Sequence, residues 1–231
     1  MLTWEGNPDP QTNANKRLLG THLYAVNDES GEIRWRYSVP SEGPLNGAQT
    51  TFEFPGSEPV IGPEGTIYIV TTVLDPSVDD PHWSTLHAIN PDGSRKWIFR
   101  PPERVTISGI PAVGADGTVY VPTETCGLCV DKDADQYQGT LYALDPDSGD
   151  AAWELDVTGG IRSAPALASD GTLYFSTVGP CKWPEGDYET DCQGRVYALQ
   201  TNSPGLADSP WPMFRGDPQH TGQIQTVGDN Q

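Results

Sequence analysis

The sequence predicts an all-β protein, a β-propeller of four-stranded antiparallel blades with about three and a half to four blades in this chain. Composition is the first reason: 231 residues include 25 Gly and 22 Pro, and no run of 10 or more residues has the apolar spacing of a helix. A repeat is the second reason, since one pattern starts at Pro59, Pro111 and Pro165 and returns after 52 and then 54 residues. Each repeat also holds four short alternating runs separated by turn residues, as a blade requires.

The first two strands of each repeat, A and B, share one frame. In segments 57–71, 109–123 and 163–177, Gly follows Pro by six residues, and Thr, an apolar residue and Tyr come next. The Gly supplies the positive φ that a tight turn between two strands needs. Small residues around Pro165 suit a crowded position, so we expect strand A to lie nearest the propeller axis.

Strands C and D are predicted from a hairpin with a Trp on its second strand, as in "LYALDPDSGDAAWELD" (141–156). Weaker copies read "LYAVNDESGEIRWRYS" and "LHAINPDGSRKWIFR". One blade cannot bury both of its faces alone, so a Trp is most simply a wedge between neighbouring blades, with a ligand-facing Trp as the alternative. The predicted docking residues are Trp35, Trp97, Trp153 and, in a stretched copy that opens at "GRVYALQ", Trp211.

The segment "ALDPDSGDAAW" (143–153) resembles the tryptophan-docking motif of the quinoprotein alcohol dehydrogenase-like β-propellers, also called PQQ-like repeats. That motif runs Ala, any residue, Asp, two residues, Thr-Gly, three residues and Trp, and here Ser148 stands for the Thr. The copy that ends at Trp35 fits as well, the copy at Trp97 is one residue short, and the copy at Trp211 is stretched. The resemblance covers nearly the whole chain after residue 20.

This resemblance implies a propeller and leaves function open, because the family holds enzymes and non-enzymatic members. The enzymes bind pyrroloquinoline quinone (PQQ) and calcium, whereas other members include the outer-membrane assembly lipoprotein and extracellular parts of sensors. The enzymes share a vicinal Cys-Cys pair near the quinone, and no Cys-Cys dipeptide occurs here. No position matches their catalytic Asp or calcium ligands, so we expect no catalytic residue and no bound PQQ.

The repeats predict the domain organisation. We expect an N-terminal segment, a half blade, three blades and a tail, with the propeller repeats spanning residues 21–223; the boundaries are 1–20, 21–38, about 57–100, 109–156, 163–215, and 224–231. The N-terminal segment would be the remnant of a preceding blade. Since the family usually closes with roughly seven or eight blades, the count leaves three alternatives: a piece of a longer secreted protein, which we favour, a four-bladed ring, or copies that associate through open blade edges.

Charge and hydropathy restrict the partners. The formal charge of −19 opposes binding to nucleic acid phosphates and to anionic membranes, and it fits bound cations or an extracellular setting, or acids that only keep the surface soluble. No apolar stretch reaches the roughly 20 residues that a membrane helix needs, so we expect no membrane insertion. The start of the sequence has no signal-peptide pattern. The alternatives are then a cytosolic protein and a fragment that begins inside a longer chain. The repeats favour the fragment, so we expect an extracellular, periplasmic or cell-surface protein.

The loops between strands B and C are the predicted binding face, because all three are expanded at the same place in the repeat: residues 72–84, 124–139 and 178–194. Long loops on one side of a rigid scaffold commonly carry binding. Trp83, Trp183 and Asp187 are the candidate contact residues there. The alternative is that the two Trp side chains pack against their own loops.

Two of these loops contain all four cysteines. Cys181 and Cys192 are predicted to form one disulfide and Cys126 and Cys129 a second, less secure one, and both imply an oxidising compartment. A shared zinc site or free thiols are the alternatives.

The loop "DKDADQYQG" spaces three carboxylates two residues apart, as calcium loops do. The candidate ligands are Asp131, Asp133, Asp135 and the carbonyl group of Tyr137. The usual Gly of the sharp turn is replaced by Gln136, and no Glu stands at the twelfth position, where Tyr142 lies. A solvated acidic loop is therefore the alternative to a calcium site.

The leading hypothesis from the sequence is a non-enzymatic PQQ-like propeller segment that binds a protein or glycan through its B–C loops. The alternatives are part of a PQQ- and calcium-dependent dehydrogenase, and a purely structural module of a multidomain surface protein.

Overall fold

The computed structural model describes residues 2–3, 22–39, 58–74, 82–102, 105–125, 138–179 and 194–216. Within these ranges the regular structure consists of β-strands and one short 3₁₀ turn, Pro63–Gly65. The strands form separate antiparallel sheets of up to four strands side by side. The predicted fold class, a partial β-propeller of antiparallel blades, is confirmed.

The described residues form four sheets that follow one another in chain order. The first sheet contains β1 (Leu2–Thr3), β2 (His22–Val26) and β3 (Ile33–Ser38). Blade 1 contains β4 (Val60–Ile61), β5 (Ile67–Leu74), β6 (His82–Ile89) and β7 (Arg95–Phe99), in that spatial order.

The next two sheets repeat this order with a divided inner strand. Blade 2 contains β8 (Val105–Ile107), β9 (Ala112–Val113), β10 (Val119–Thr125), β11 (Gln138–Leu144) and β12 (Ala151–Thr158). Blade 3 contains β13 (Gly160–Ile161), β14 (Ala166–Leu167), β15 (Thr172–Val178) and β16 (Arg195–Gln200).

The inner strand A of blades 2 and 3 is interrupted once. In blade 2, β8 pairs with the end of β10 while β9 pairs with its start, and in blade 3, β13 and β14 pair with β15 in the same way. Pro111 and Pro165 lie in these interruptions, where the missing N–H of a proline breaks no ladder hydrogen bond. The sequence pattern predicted strand A but not this division.

The hydrophobic core lies between sheets. One cluster joins the first sheet to blade 1 through Leu23, Tyr37, Ile69 and Ile89. A larger cluster joins blade 1 to blade 2, and a third joins blade 2 to blade 3. Each blade is therefore stabilised mainly by the sheets on either side of it, as in other repeat proteins.

Residues 203–216, which we call the inner strap, take a path that the sequence did not predict. The N–H of Ile61 donates to the carbonyl of Trp211 (2.7 Å), and the N–H of Val113 donates to the carbonyl of Pro212 (2.9 Å). The strap thus pairs with the inner strands of blades 1 and 2, and it buries Met213 completely. No strand of the described residues pairs with the outer edge of β16, although the repeat predicted a fourth strand there.

Candidate functional site

A tryptophan of blade 1 fixes how blade 2 sits beside it. Trp97 lies on β7 and is almost fully buried, and its indole N–H donates to the carbonyl of Pro146 in the turn between β11 and β12 (2.9 Å). Gly149 of that turn has φ +78°, and a Cβ placed on it would lie 2.6 Å from the Trp97 ring. The turn therefore needs glycine for two reasons, its backbone conformation and the indole that covers it. We call this arrangement a tryptophan seat.

The first sheet uses the same device on blade 1. The indole N–H of Trp35 donates to the carbonyl of Pro91 (2.8 Å). The ring covers Gly93, where φ is +87° and an added Cβ would lie 2.7 Å from the indole. The two seats are thus alike in hydrogen bond, glycine and ring contact.

Side-chain hydrogen bonds hold the shape of the turn in the Trp97 seat and of the equivalent turn in the first sheet, which no described indole covers. The Oδ1 atom of Asp145 accepts hydrogen bonds from the N–H groups of Asp147 (3.0 Å) and Ser148 (2.9 Å). These bonds, that from Ser148 first, lower the pKa of Asp145 below its ordinary value. Asn27 accepts the equivalent bonds from Glu29 and Ser30 in the first sheet (2.9 Å each).

The other two predicted docking residues lie in different surroundings. Trp153 is on β12 and is 38% exposed, with its ring 6.0 Å from that of Tyr120. Trp211 lies in the inner strap rather than on a strand, and its backbone carbonyl is bonded to blade 1. The stretch between β16 and Trp211 replaces the short turn of the other blades, so blade 3 does not offer Trp153 the same kind of seat.

The seats also determine where the B–C loops emerge. Because Trp35 and Trp97 each reach the C–D turn of the next sheet, the C–D turns of the first sheet, blade 1 and blade 2 lie side by side. The strands are antiparallel, so the connections between B and C leave from the opposite end of every blade. We call this the B–C end.

Hydroxyl side chains join strands B and C at the B–C end. Thr123 donates to the carbonyl of Thr140 (2.7 Å), and Thr125 donates to the carbonyl of Gln138 (3.2 Å). In blade 1 the hydroxyls of Thr72 and Ser84 lie 3.1 Å apart. These bonds brace the strands at the points where the loops depart.

A threonine recurs on strand B at the B–C end of every blade, three residues after the repeat Tyr. These residues are Thr71, Thr123 and Thr177. The Thr71 hydroxyl is 3.0 Å from Nε2 of the buried His87, whose Nδ1 is 3.0 Å from the Tyr37 hydroxyl of the first sheet. The aligned repeats place these threonines in register, but nothing else in the sequence marks them as part of a site.

An ion pair ties blades 2 and 3 together at the same end. The Nε of Arg162 lies 2.8 Å from Oε2 of Glu124, whose side chain is mostly shielded from solvent. Nearby, the hydroxyl of Ser108 donates to the carbonyl of Ile161 (2.5 Å). The B–C end is therefore fixed across blades as well as within them.

The predicted contact and ligand residues of the loops themselves lie outside the described residues. They are Asp131, Asp133, Asp135, Tyr137, Cys126, Cys129, Cys181, Cys192, Trp183 and Asp187. Trp83 lies on β6, where its backbone pairs with Val73 of β5, and its side chain is outside the described part of the structure. The predictions for the two disulfides, the calcium loop and the aromatic contacts stay predictions.

Within the part of the chain that the structure describes, no three His, Cys, Asp or Glu side chains lie close enough together to hold a metal ion. No helix among the same residues is long and apolar enough to cross a membrane.

Comparisons with known proteins agree with the repeat analysis. The family model described as outer membrane protein assembly factor BamB matches residues 82–202, more than half of the chain. No curated protein matches significantly. Among solved structures, a protein of unknown function from Bacteroides caccae, determined at 1.35 Å resolution, is similar, with 12% identity over 76% of this chain and 68% of its own and a TM-score of 0.28. The chain belongs to the PQQ-like repeat family described by that model, outer membrane protein assembly factor BamB.

Proposed function

We propose that this protein is a non-enzymatic binding or scaffold module, which holds a protein or glycan partner on the loops of its B–C end. The observation that carries the proposal is the contrast between the two ends of the blades. Tryptophan seats occupy the C–D turns of blades 1 and 2, whereas the B–C end presents connections from three blades, and hydroxyl bonds brace the strands of blades 1 and 2 there. A rigid mount for variable loops is a common design for recognition.

The inner strap supports the same assignment. It bonds to the inner strands of blades 1 and 2, which would otherwise line the axis of the propeller, and it buries Met213 and Ala207 against them. Much of the axial surface of these blades is thus covered by the chain itself. The proposal therefore places the partner on the B–C loops rather than at the axis.

Location and loop chemistry complete the proposal. The matching family is described as an outer membrane protein assembly factor, and an acidic chain with four cysteines suits a periplasmic or extracellular setting. In this proposal a Cys181–Cys192 disulfide braces the loop of blade 3. Calcium bound by Asp131, Asp133 and Asp135 orders the loop of blade 2.

Binding assays on a glycan panel, and with protein partners cross-linked in the periplasm, test the proposal. We expect Trp83→Ala and Trp183→Ala to weaken partner binding by about 10-fold or more, since aromatic anchors dominate many binding surfaces. Trp153→Ala is the matched control, because it removes an exposed Trp away from the B–C end. Equal binding by all three variants would contradict the proposal.

A second assay separates the module from the enzyme alternative. The protein is mixed with PQQ and calcium, and the absorbance of the retained quinone is measured after gel filtration. The proposal predicts no stoichiometric retention. Retention of one quinone per chain would contradict the proposal and would indicate a quinoprotein enzyme.

A further inference from the structure

Blade 3 leaves uncovered a face that the other blades bury. On this face Tyr174 pairs across the strands with Ala198, and Ser176 pairs with Val196, so the side chains form one patch. Val196 is 81% exposed and Tyr174 is 45% exposed. An apolar sheet face of this kind is normally covered by another element.

The repeat shows what kind of cover the face is built for. Val196 is the counterpart of Leu86 and Leu141 in the aligned hairpins, and both of those are completely buried. Tyr174 is the counterpart of Tyr68 and Tyr120, which are each 1% exposed. In blades 1 and 2 the cover is the next sheet. We call the patch on blade 3 the leading face.

The first sheet leaves open a face of the opposite kind. Val26 pairs with Ile33 across β2 and β3, and they are 44% and 62% exposed. The counterparts of Val26 are Ile89 and Leu144, which are completely buried against the preceding sheet. We call this patch the trailing face.

The turn between β2 and β3 is shaped like the turns of the tryptophan seats but is not covered by an indole ring. Gly31 has φ +71° like the other seat glycines, yet among the described residues no atom lies within 4 Å of a Cβ placed there. The corresponding positions at Gly93 and Gly149 are covered by indole rings. The first sheet is therefore built to be covered by another blade.

We propose that the leading face of one chain packs against the trailing face of a second copy, head to tail. In each of the three sheet-to-sheet interfaces of the described residues, a face of the leading type packs against a face of the trailing type, so the contact continues an established interface. The exposure of both faces shows that they do not meet within one chain. Two unlike patches on one molecule produce a heterologous contact, which closes into a ring when the rotation allows it.

The sheet count fits a closed pair. The described residues of one chain form the first sheet and three blades, so those of two copies form eight sheets. Propellers commonly close with roughly four to eight blades. Two head-to-tail contacts then bury every open face in the dimer.

Native mass measurement and sedimentation test the proposal on the full chain. We expect a species of twice 25.0 kDa. Val196→Asp on the leading face and Val26→Asp on the trailing face each place a carboxylate in the contact, and each should raise the dissociation constant on the order of 100-fold. Ala115→Asp, in the exposed turn between β9 and β10, is the control that should leave the mass unchanged.

Mixing the two variants distinguishes a head-to-tail contact from any other. A Val196→Asp chain keeps its trailing face and a Val26→Asp chain keeps its leading face, so the mixture retains one intact contact and should form a one-to-one dimer. Circular dichroism confirms that each variant is folded, which is expected because both residues are exposed. A single-chain mass for the unaltered protein, a dimer that survives either substitution, or no dimer in the mixture would each overturn the proposal.

Discussion

Blades 2 and 3 carry the same pattern on the face turned toward the next sheet, yet only blade 2 has that face covered. Leu141 and Tyr120 of blade 2 are buried against blade 3, whereas their counterparts Val196 and Tyr174 are exposed. The tryptophans of the two preceding blades differ as well, since Trp97 of blade 1 rests in a seat on blade 2, whereas Trp153 of blade 2 has no such seat on blade 3. The sequence pattern of a blade determines which side chains can pack against a neighbour. The presence of the neighbouring sheet determines whether those side chains are buried and stabilise the fold.

The largest difference is expected between the two tryptophans. Trp97→Ala removes a buried indole and its hydrogen bond to Pro146, and it should lower the free energy of unfolding by about 3–5 kcal/mol. Trp153→Ala removes a ring that is already partly in solvent, and it should cost about 1 kcal/mol. Urea denaturation of dilute, single-chain protein measures both values, and similar losses would remove the distinction between docked and undocked residues.

The aliphatic counterparts should differ next. Leu141→Ala leaves a cavity between blades 2 and 3 and should cost about 2–5 kcal/mol. Val196→Ala, on the leading face, should change stability by less than about 0.5 kcal/mol in the single chain. Urea denaturation measures both changes in the free energy of unfolding. A large loss of stability for Val196→Ala would mean that its face is covered in the monomer.

The seat glycines offer a comparison in which backbone strain cancels. Gly149→Ala and Gly31→Ala both force alanine into positive φ, at a shared cost of about 1 kcal/mol. Only at Gly149 does the added methyl group meet an indole ring, so that variant should lose about 1–3 kcal/mol more. If the two variants melt alike, the seat does not depend on close contact with the ring.

A surface ion pair across the same interface should contribute little. Nζ of Lys96 lies 3.1 Å from Oδ1 of Asp147, and the Asp147 side chain is 89% exposed. A double-mutant cycle with Lys96→Ala and Asp147→Ala should give a coupling of about 0.2–1 kcal/mol, falling with added salt. A salt-independent coupling above this range would show that the pair is shielded from solvent.

The seat turns should also differ in their response to acid. The pKa of Asp145 lies below its ordinary value of 3.8 in the folded chain, so its contribution is present above that pH and is lost as pH falls through the folded pKa. Asn27 makes the same bonds without titrating. Asp145→Asn should therefore reduce the loss of stability below about pH 4, measured as melting temperature against pH. If Asp145→Asn leaves the fall of melting temperature at low pH unchanged, the Asp145 turn does not contribute to acid unfolding.

The blades could be predicted from the sequence because local interactions specify their hairpins and turns. Gly117 and Gly171 each adopt the positive φ that was expected of the turn between strands A and B. The spacing from Asp145 to Trp153 reflects a hairpin whose turn is fixed by side-chain bonds within a few residues. Features of this kind depend on neighbours in the chain and are visible in the sequence.

The inner strap shows where that reasoning stops. Trp211 was placed on a fourth strand by its spacing from "GRVYALQ", but the strap instead supplies carbonyl groups to Ile61 and Val113. Backbone pairing between segments so far apart in sequence leaves no mark in the side-chain pattern. The hydroxyl bond of Thr123 at the B–C end was also missed, since a Thr on a strand is common and its partner is a backbone carbonyl.

Hydrogen exchange of β10 and β15 tests the account most directly, because both are strand B of their blade and both are hydrogen-bonded on two sides. Mass spectrometry would follow them at a dilution where the native mass is that of one chain. If cover by the next sheet sets local stability, the amides of β15 exchange at least about 10-fold faster than those of β10, by local opening rather than global unfolding. Equal protection of the two strands, or greater protection of β15, would contradict it.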